Sequence, residues 1–269
     1  MMPFLKWPGG KRWFIPDHSE LLPKKFGRLI EPFLGGGSVF FHLQPANAIL
    51  GDTNAELINV YQAMKWRRKQ LTSLLTEHQS RHGKQYYYRL RSNIPKNFVE
   101  RAARTIYLNR TCFNGIYRVN LSGSFNVPKG TRSTVLLGTD DFEAAARVLR
   151  TAELRICDFE PLIDEAKCGD LVFADPPYTV GHNNNGFVRY NESLFRWADQ
   201  IRLADALTRA RARGVQVVAT NAAHSAVVDL YRKRTFAIQF AERYSSISAE
   251  SKGRKQFQEI IIHSNPIED

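Results

Sequence analysis

The sequence predicts an α/β protein: a doubly wound, mostly parallel sheet with an antiparallel closing strand, interrupted by an inserted helical domain that bears a β-hairpin. Three observations predict it. A short strand runs into a glycine-rich turn at residues 34–38 and then into a helical pattern, which is how a nucleotide-binding sheet opens. Strand and helix patterns alternate over residues 1–55 and again over 134–269, whereas 56–133 turns helical and basic. The apolar run Leu171 to Ala174 is cut off by Asp175-Pro176-Pro177-Tyr178, so it reads as a buried strand that ends abruptly.

The composition fits that architecture. A chain of 269 residues with 43% hydrophobic content can bury a full core. With 38 Lys and Arg against 26 Asp and Glu, the net charge is +12, and nucleic acid is the leading expected partner. Cys112, Cys157 and Cys168 lack metal-ligand spacing and sit in or beside apolar runs, so they are expected to be reduced and buried, with no metal site. No apolar run reaches membrane-spanning length and residues 1–13 lack the core of a signal peptide, which predicts a cytoplasmic protein.

In chain order, Phe4 to Arg12 packs an aromatic, Pro8, Gly9 and Gly10 between lysines, a tight loop that presents backbone and cations. A strand over 27–33 carries Glu31 and Phe33 into the glycine turn, where Gly35 and Gly37 let the backbone approach a ligand closely. This turn is not the G-x-G-x-x-G fingerprint, so a cofactor other than NAD is favoured. The second strand, 48–51, ends in Asp52, placed to accept hydrogen bonds from ribose hydroxyls, and Asn54 is the expected cap of the next helix. From 56 to about 110 the pattern is helical, with Leu57, Val60, Tyr61 and Met64 on one face. The basic surface of that stretch runs from Lys65, Arg67, Arg68 and Lys69 through Arg81, Lys84, Arg89, Arg91, Lys96, Arg101 and Arg104 to Arg110. Tyr117, Val119 and Leu121, then Ser122-Gly123-Ser124, then Phe125 and Val127 read as a hairpin able to enter a major groove. Its Arg118, Asn120, Leu121, Ser122, Asn126 and Pro128 are the candidate DNA contacts.

The second half restores the alternation: a helix over 139–151, a strand over 154–157 ending in Asp158-Phe159, a helix over 194–213, a strand over 215–220, and closing strands at 236–244 and 257–263. Asp158 and Phe159 are candidates for hydrogen bonding and stacking with a cofactor adenine. The polar loop 179–191 is long enough to close over a substrate, and the basic loop 245–255 is expected at phosphates. At the Asp-Pro-Pro-Tyr turn, one carboxylate oxygen of Asp175 and the Pro176 carbonyl can each accept a hydrogen from an amino group on a planar ring, with Tyr178 on the ring face. Pro176 and Pro177 stiffen that turn.

Four stretches, Phe4-Leu5-Lys6-Trp7-Pro8-Gly9-Gly10-Lys11, Glu31-Pro32-Phe33-Leu34-Gly35-Gly36-Gly37-Ser38, Gly51-Asp52-Thr53-Asn54 and Asp175-Pro176-Pro177-Tyr178, together with Asn114-Gly115 and Phe125-Asn126-Val127-Pro128, resemble the Dam-type DNA adenine-N6 methyltransferases over nearly the whole chain. The resemblance implies a Rossmann-like class I methyltransferase sheet that binds S-adenosylmethionine, with residues 56–133 as an inserted target-recognition domain. It places Trp7 and Lys11, with Gly9 and Gly10, among the cofactor contacts, Asp52 on the ribose, Asp158 and Phe159 at the adenine, Asp175 to Tyr178 at the reaction, and Lys6 on DNA. It also implies base flipping, a restriction-modification, phage or regulatory role, and a monomer or weak dimer on DNA. The tip Leu121-Ser122-Gly123-Ser124 departs from relatives reading GATC, which carry bulkier and more basic residues there, so that specificity is not implied. Methylation of cytosine N4 or of RNA adenine, and a binding module without catalysis, remain open on the sequence.

Overall fold

The computed structural model describes residues 1–115, 117–120, 123–178, 195–244 and 256–264. The chain opens with α1 (Phe14–His18) and a 3-10 turn (Ser19–Leu21), then β1 (Leu29–Glu31), α2 (Ser38–Leu43) and β2 (Ala48–Asp52). The expected helical stretch is three helices, α3 (Ala55–Ser80), α4 (Lys84–Ser92) and α5 (Phe98–Thr111). One break falls at Gly83, which is fully extended. The other falls around Pro95, which lacks an N–H and disfavours helix at Ile94; Asn97 then restarts the helix by accepting the Val99 and Glu100 amides. Asn54 caps α3 as expected, accepting from the Leu57 amide at 3.2 Å.

After a 3-10 turn (Phe113–Gly115) come α6 (Phe142–Leu149), β3 (Ala152–Ile156), α7 (Phe159–Asp164), β4 (Leu171–Ala174), α8 (Trp197–Ala212), β5 (Gln216–Ala222), α9 (Ser225–Arg232), β6 (Ala237–Tyr244) and β7 (Gln256–His263). Each strand expected outside the hairpin is present close to its expected span. Helix α8 begins later than its periodicity suggests, because Arg196 is extended and its amide donates to Asp199.

The chain falls into two compact units. The first holds Met1–Arg12, Gly35–Ala46 and Asp52–Ile156. Here α3 packs on α5 and α6, burying Leu57, Tyr61, Met64, Ile106 and Leu149. The Phe4 ring meets Phe41, Tyr61 and Phe142 edge-on, at 5.9, 5.3 and 6.3 Å between centroids. Two members of the expected basic surface are internal instead. Arg104 donates to the Leu90 and Arg91 carbonyls, and Arg110 pairs with Asp140 while donating to the carbonyls of Phe4 and Val135. Arg104 is held by backbone carbonyls, whereas Arg110 relies on the Asp140 carboxylate and two carbonyls, with its Nε buried and without a hydrogen-bond partner among the described residues.

The second unit holds Trp13–Leu34, Asn47–Gly51 and Cys157–Asp269. Its strands run in the order β2-β1-β4-β5-β7-β6 within a mixed sheet. Strand β1 is parallel to β2 and β4, and β4 to β5, whereas β7 is antiparallel to both β5 and β6. Ile30, Val172, Val217, Ile260 and Ile262 form the core with Leu203 and Leu207 of α8 and Leu162 and Ile163 of α7. The three cysteines are free, but only Cys112 is buried; Cys157 is half-buried and Cys168 is exposed, since it lies in the α7–β4 connection rather than in the apolar run that follows.

The first unit contains a buried proton-sensitive group. His78 is buried on α3 with Nδ1 2.7 Å from the Tyr86 hydroxyl, while Nε2 has no hydrogen-bond partner among the described residues. Burial lowers its pKa from 6.5 to about 4. The unfolded chain therefore takes up a proton below pH 6.5 that the folded chain refuses until about pH 4. Stability falls through that window, by about 3 kcal/mol at its acid end. Denaturant midpoints at pH 7 and pH 4.5 check this: His78→Gln should lose less on acidification than the wild type, and equal losses would contradict it.

Candidate active site and DNA-binding residues

In the first unit the N-terminal loop is built around Trp7. The Gly10 amide donates to the Trp7 carbonyl at 3.1 Å with Gly9 left-handed at φ 77°, and the indole stacks on Tyr117 at 4.8 Å. The loop presents fewer cations than its sequence suggests. Lys11 is only 3% exposed, and its ammonium donates to the Gly9 carbonyl at 2.9 Å. Burial is tolerable there because that carbonyl, left outside any ladder, accepts the charge.

The glycine turn follows. Gly35 and Gly37 have φ of 48° and 65°, which strains any side chain, and a Cβ at Gly35 would also crowd Trp7 Cδ1 at 3.2 Å. Asp52 holds this turn. One carboxylate oxygen accepts the Gly35 amide at 3.2 Å, the other accepts the Asn54 amide at 2.9 Å, and the Tyr61 hydroxyl donates to the Gly35 carbonyl at 3.0 Å. Burial pushes the Asp52 carboxyl up from its ordinary range, against the lowering effect of those two amides.

Among the candidate DNA contacts, Lys6 is held by Asn109 and Asn114, and Arg118 is held by Asn126. Asn109, fully buried, takes the Lys6 amide and donates to the Lys6 carbonyl, and the Lys6 ammonium donates to the Asn114 carbonyl at 3.2 Å. The hairpin is narrower than expected: instead of two strands it has single bridges, Val119 with Phe125 and Cys112 with Lys129. Its turn is closed by Gly123 donating to the Asn120 carbonyl and by Ser124 donating to the Asn120 side chain. The Arg118 guanidinium donates to the Asn126 side chain at 3.0 Å. Arg118, Asn120 and Pro128 are exposed and Asn126 is half-buried, while Leu121 and Ser122 lie outside the described residues, as do the loops 179–191 and 245–255.

In the second unit Glu31 is buried at the end of β1, and half-buried Phe33 stacks on Phe159 at 5.3 Å. Phe159 is itself 4% exposed, so its ring face is engaged by Phe33. Asp158 caps α7 by accepting the Glu160 amide and also accepts from Arg202 at 2.9 Å. At the end of β4, the half-buried Asp175 carboxylate accepts the Thr220 hydroxyl at 2.8 Å. Pro176 is buried, and the Tyr178 hydroxyl donates to Glu259 at 2.5 Å. A carboxylate of fixed plane, a proline carbonyl and an aromatic face are the acceptors and platform that an exocyclic amine on a flat ring requires.

Sequence reading passed over Thr220 and Glu259. Their signal is a polar residue beside a short apolar run within a strand: Thr220 follows Val217-Val218-Ala219, and Glu259 precedes Ile260-Ile261-Ile262. It is faint, because only the fold brings those positions to Asp175 and Tyr178. Asn109 is likewise visible only as a polar residue within a buried helix.

Comparison with known proteins identifies the family. Residues 7–247 match the D12 class N6 adenine-specific DNA methyltransferase family. The chain is 39% identical to the Type II methyltransferase M1.LlaDCHI of Lactococcus lactis subsp. cremoris, covering 97% of this chain and 95% of that protein. It is 33% identical to the Type II methyltransferase M.MjaIII of Methanocaldococcus jannaschii, over 81% of this chain and 83% of the relative. Identity to the DNA adenine methylase of Haemophilus influenzae is 29%, over 96% and 92%. With a family match over most of its length and relatives aligned nearly end to end, this chain belongs to the D12 class of N6 adenine-specific DNA methyltransferases.

Proposed function

We propose that the protein transfers a methyl group from S-adenosylmethionine to N6 of an adenine flipped out of duplex DNA at a short recognition site. The observation that carries this is the end of β4: Asp175 held by Thr220, beside two prolines and Tyr178. A planar amine docked there donates one hydrogen to Asp175 and one to the Pro176 carbonyl, and its ring lies on Tyr178. Extruding the base costs a few kcal/mol of stacking and pairing, and stacking on Tyr178 offsets part of that cost. The two hydrogen bonds aim the nitrogen lone pair, and Asp175 compensates the positive charge that grows on nitrogen. Because the amine is acidic once alkylated, Asp175 need not be a strong base.

The residues present fit the cofactor. In the first unit, the left-handed glycines open backbone to close approach, and Asp52 keeps acceptor capacity for ribose hydroxyls beyond its two amide bonds. Trp7, Gly9, Gly10, Lys11, Gly35 and Gly37 are the other contacts proposed there. Glu31, Phe33, Asp158, Phe159 and Asp175 are those proposed in the second unit. When bound, the sulfonium supplies the electrophilic methyl. Residues 56–133 are proposed as the recognition insert within a catalytic domain of 1–55 and 134–269, and Lys6, Arg118, Asn120, Leu121, Ser122, Asn126 and Pro128 as DNA contacts. The protein is proposed to act in the cytoplasm, as a monomer or a weak dimer on DNA. The relatives' bacterial and archaeal sources agree with that setting, and no helix of the described residues is long and apolar enough to cross a membrane.

Incubation with S-adenosylmethionine and duplex DNA of mixed sequence, read by nucleoside mass spectrometry, tests the reaction. N6-methyladenine in one short context is expected; N4-methylcytosine, or no modified base, would overturn it. Asp175→Ala should abolish transfer while DNA retention survives, and turnover by that variant would remove Asp175 from the chemistry. Added salt should weaken DNA binding steeply, as Lys and Arg release counterions from phosphates; a flat response would argue against a phosphate-binding surface.

A further inference from the structure

Two buried side chains outside the contacts proposed above hold the two ends of the Asp-Pro-Pro-Tyr turn. Thr220 lies in β5, fully buried, and its hydroxyl donates to Asp175 Oδ1 at 2.8 Å. Glu259 lies in β7, 3% exposed, and its Oε2 accepts the Tyr178 hydroxyl at 2.5 Å. The strands are antiparallel neighbours with Thr220 opposite Ile261 and Ala222 opposite Glu259. The two anchors therefore come from adjacent, paired strands of the sheet, close to where its direction reverses.

We infer that Thr220 and Glu259 are positioning residues for methyl transfer, Thr220 fixing the carboxylate plane of Asp175 and Glu259 fixing the ring of Tyr178. The inference rests on the reaction proposed above. A carboxylate on a single Cβ rotates about χ2 over a broad well, so its two oxygens have no intrinsic direction. A hydroxyl donor on one oxygen removes that freedom and leaves the other side of the group aimed by the same bond. A tyrosine ring at a turn is likewise free about χ1 and χ2 until its far end is tied. A buried carboxylate accepting the phenol ties it with a charge-assisted bond, shorter and stronger than a neutral one. Pro176 and Pro177 fix the backbone between the two tethers, since their φ is set by the ring. Backbone, carboxylate and ring are then all in place before a base arrives. That spares ordering at the moment of reaction, which appears in kcat rather than in binding.

The test separates positioning from folding. Thr220→Val keeps the shape of a buried side chain and removes the donor. It should lower kcat on the order of 10²-fold, with KM for DNA and the melting temperature unchanged, and Thr220→Ser should restore kcat. For the other tether, Glu259→Gln should lower kcat about tenfold, the weight of one charge-assisted hydrogen bond, and should add nothing in a Tyr178→Phe background. The roles are overturned if Thr220→Val turns over like the wild type, or if its loss of kcat comes with a lowered melting temperature and serine does not rescue it. They are also overturned if Glu259→Gln costs as much without the Tyr178 hydroxyl as with it. Absence of N6-methyladenine from wild-type reactions would overturn the reaction itself and these roles with it, an outcome distinct from normal wild-type turnover with unaffected variants.

Discussion

The reactive strand has to be buried along its length and chemically open at its end. All four residues of β4 are between 0 and 4% exposed, and parallel strands pair with it on both sides, Leu171 with Leu29 and Gln216, Val172 with Ile30 and Val217. A strand so enclosed has no free edge, and polar chemistry can begin only where its ladder stops, at the carboxyl end. Pro176 and Pro177 end the ladder by withholding their amide donors. At the opposite end Asp170, 5% exposed, takes the Arg28 amide, the Lys167 amide and the Arg28 guanidinium. Burial alone would raise that carboxyl; Arg28 and the two amides outweigh it and hold it below its ordinary range. Removing Arg28 would leave a buried charge short of its partner, a change costing about 3–5 kcal/mol in comparable sites. The strand is thus anchored by a satisfied charge at its start, so the position of Asp175 is fixed before any side chain at the site is considered.

The basic surplus divides in a similar way. A net charge of +12 suggests a surface devoted to phosphates, yet the strongest guanidinium contacts are internal. Arg110, paired with Asp140 and bonded to the Phe4 carbonyl, ties the N-terminal segment to α5 within the first unit. Arg101 reaches Glu56 on α3. On α8, Arg202 and Arg209 pair with Asp158, Glu160, Asp164 and Asp199 while remaining nearly half exposed, where ion pairs contribute little to stability. Exposed cations such as Lys84, Arg89 and Lys96 are a different population. A salt dependence of DNA binding counts this second population, so its slope is set by fewer charges than the composition suggests.

What the sequence made legible was local. Alternation of apolar runs marked the strands, and Asn54 announced the start of α3, because a cap acts over three residues. The break at Gly83 was missed for the complementary reason: helix runs on either side of it, α3 before and α4 after, and a single glycine is weak evidence against a helix. Lys11 and Arg110 were read as solvated because charge is normally solvated. Only the folded chain supplies the carbonyls of Gly9, Phe4 and Val135 that let them be buried. Cys168 erred the other way, being assigned to a core by its apolar neighbours while the connection carrying it lies outside. The candidate site residues stood out where they form a contiguous string, as Asp175 to Tyr178 do. Thr220 and Glu259 were not, since their partners lie 45 and 81 positions away.

Asp52 shows how one residue can satisfy the fold and a ligand together. An ionised carboxylate only accepts, and its two oxygens offer about four lone-pair directions. The Gly35 and Asn54 amides use one direction on each oxygen, which fixes the glycine turn and the entry of α3 at the same time. Asparagine would turn an amino group toward one of those amides, setting donor against donor, so the turn itself selects the acid. The capacity left over suits a diol, which donates two hydrogens at a spacing that one carboxylate can span. Burial raises the carboxyl and so costs stability in the charged form, and the two backbone amides return part of that. A ribose supplying two further donors would return more, so the cofactor contact proposed for Asp52 strengthens the same charge that shapes the turn.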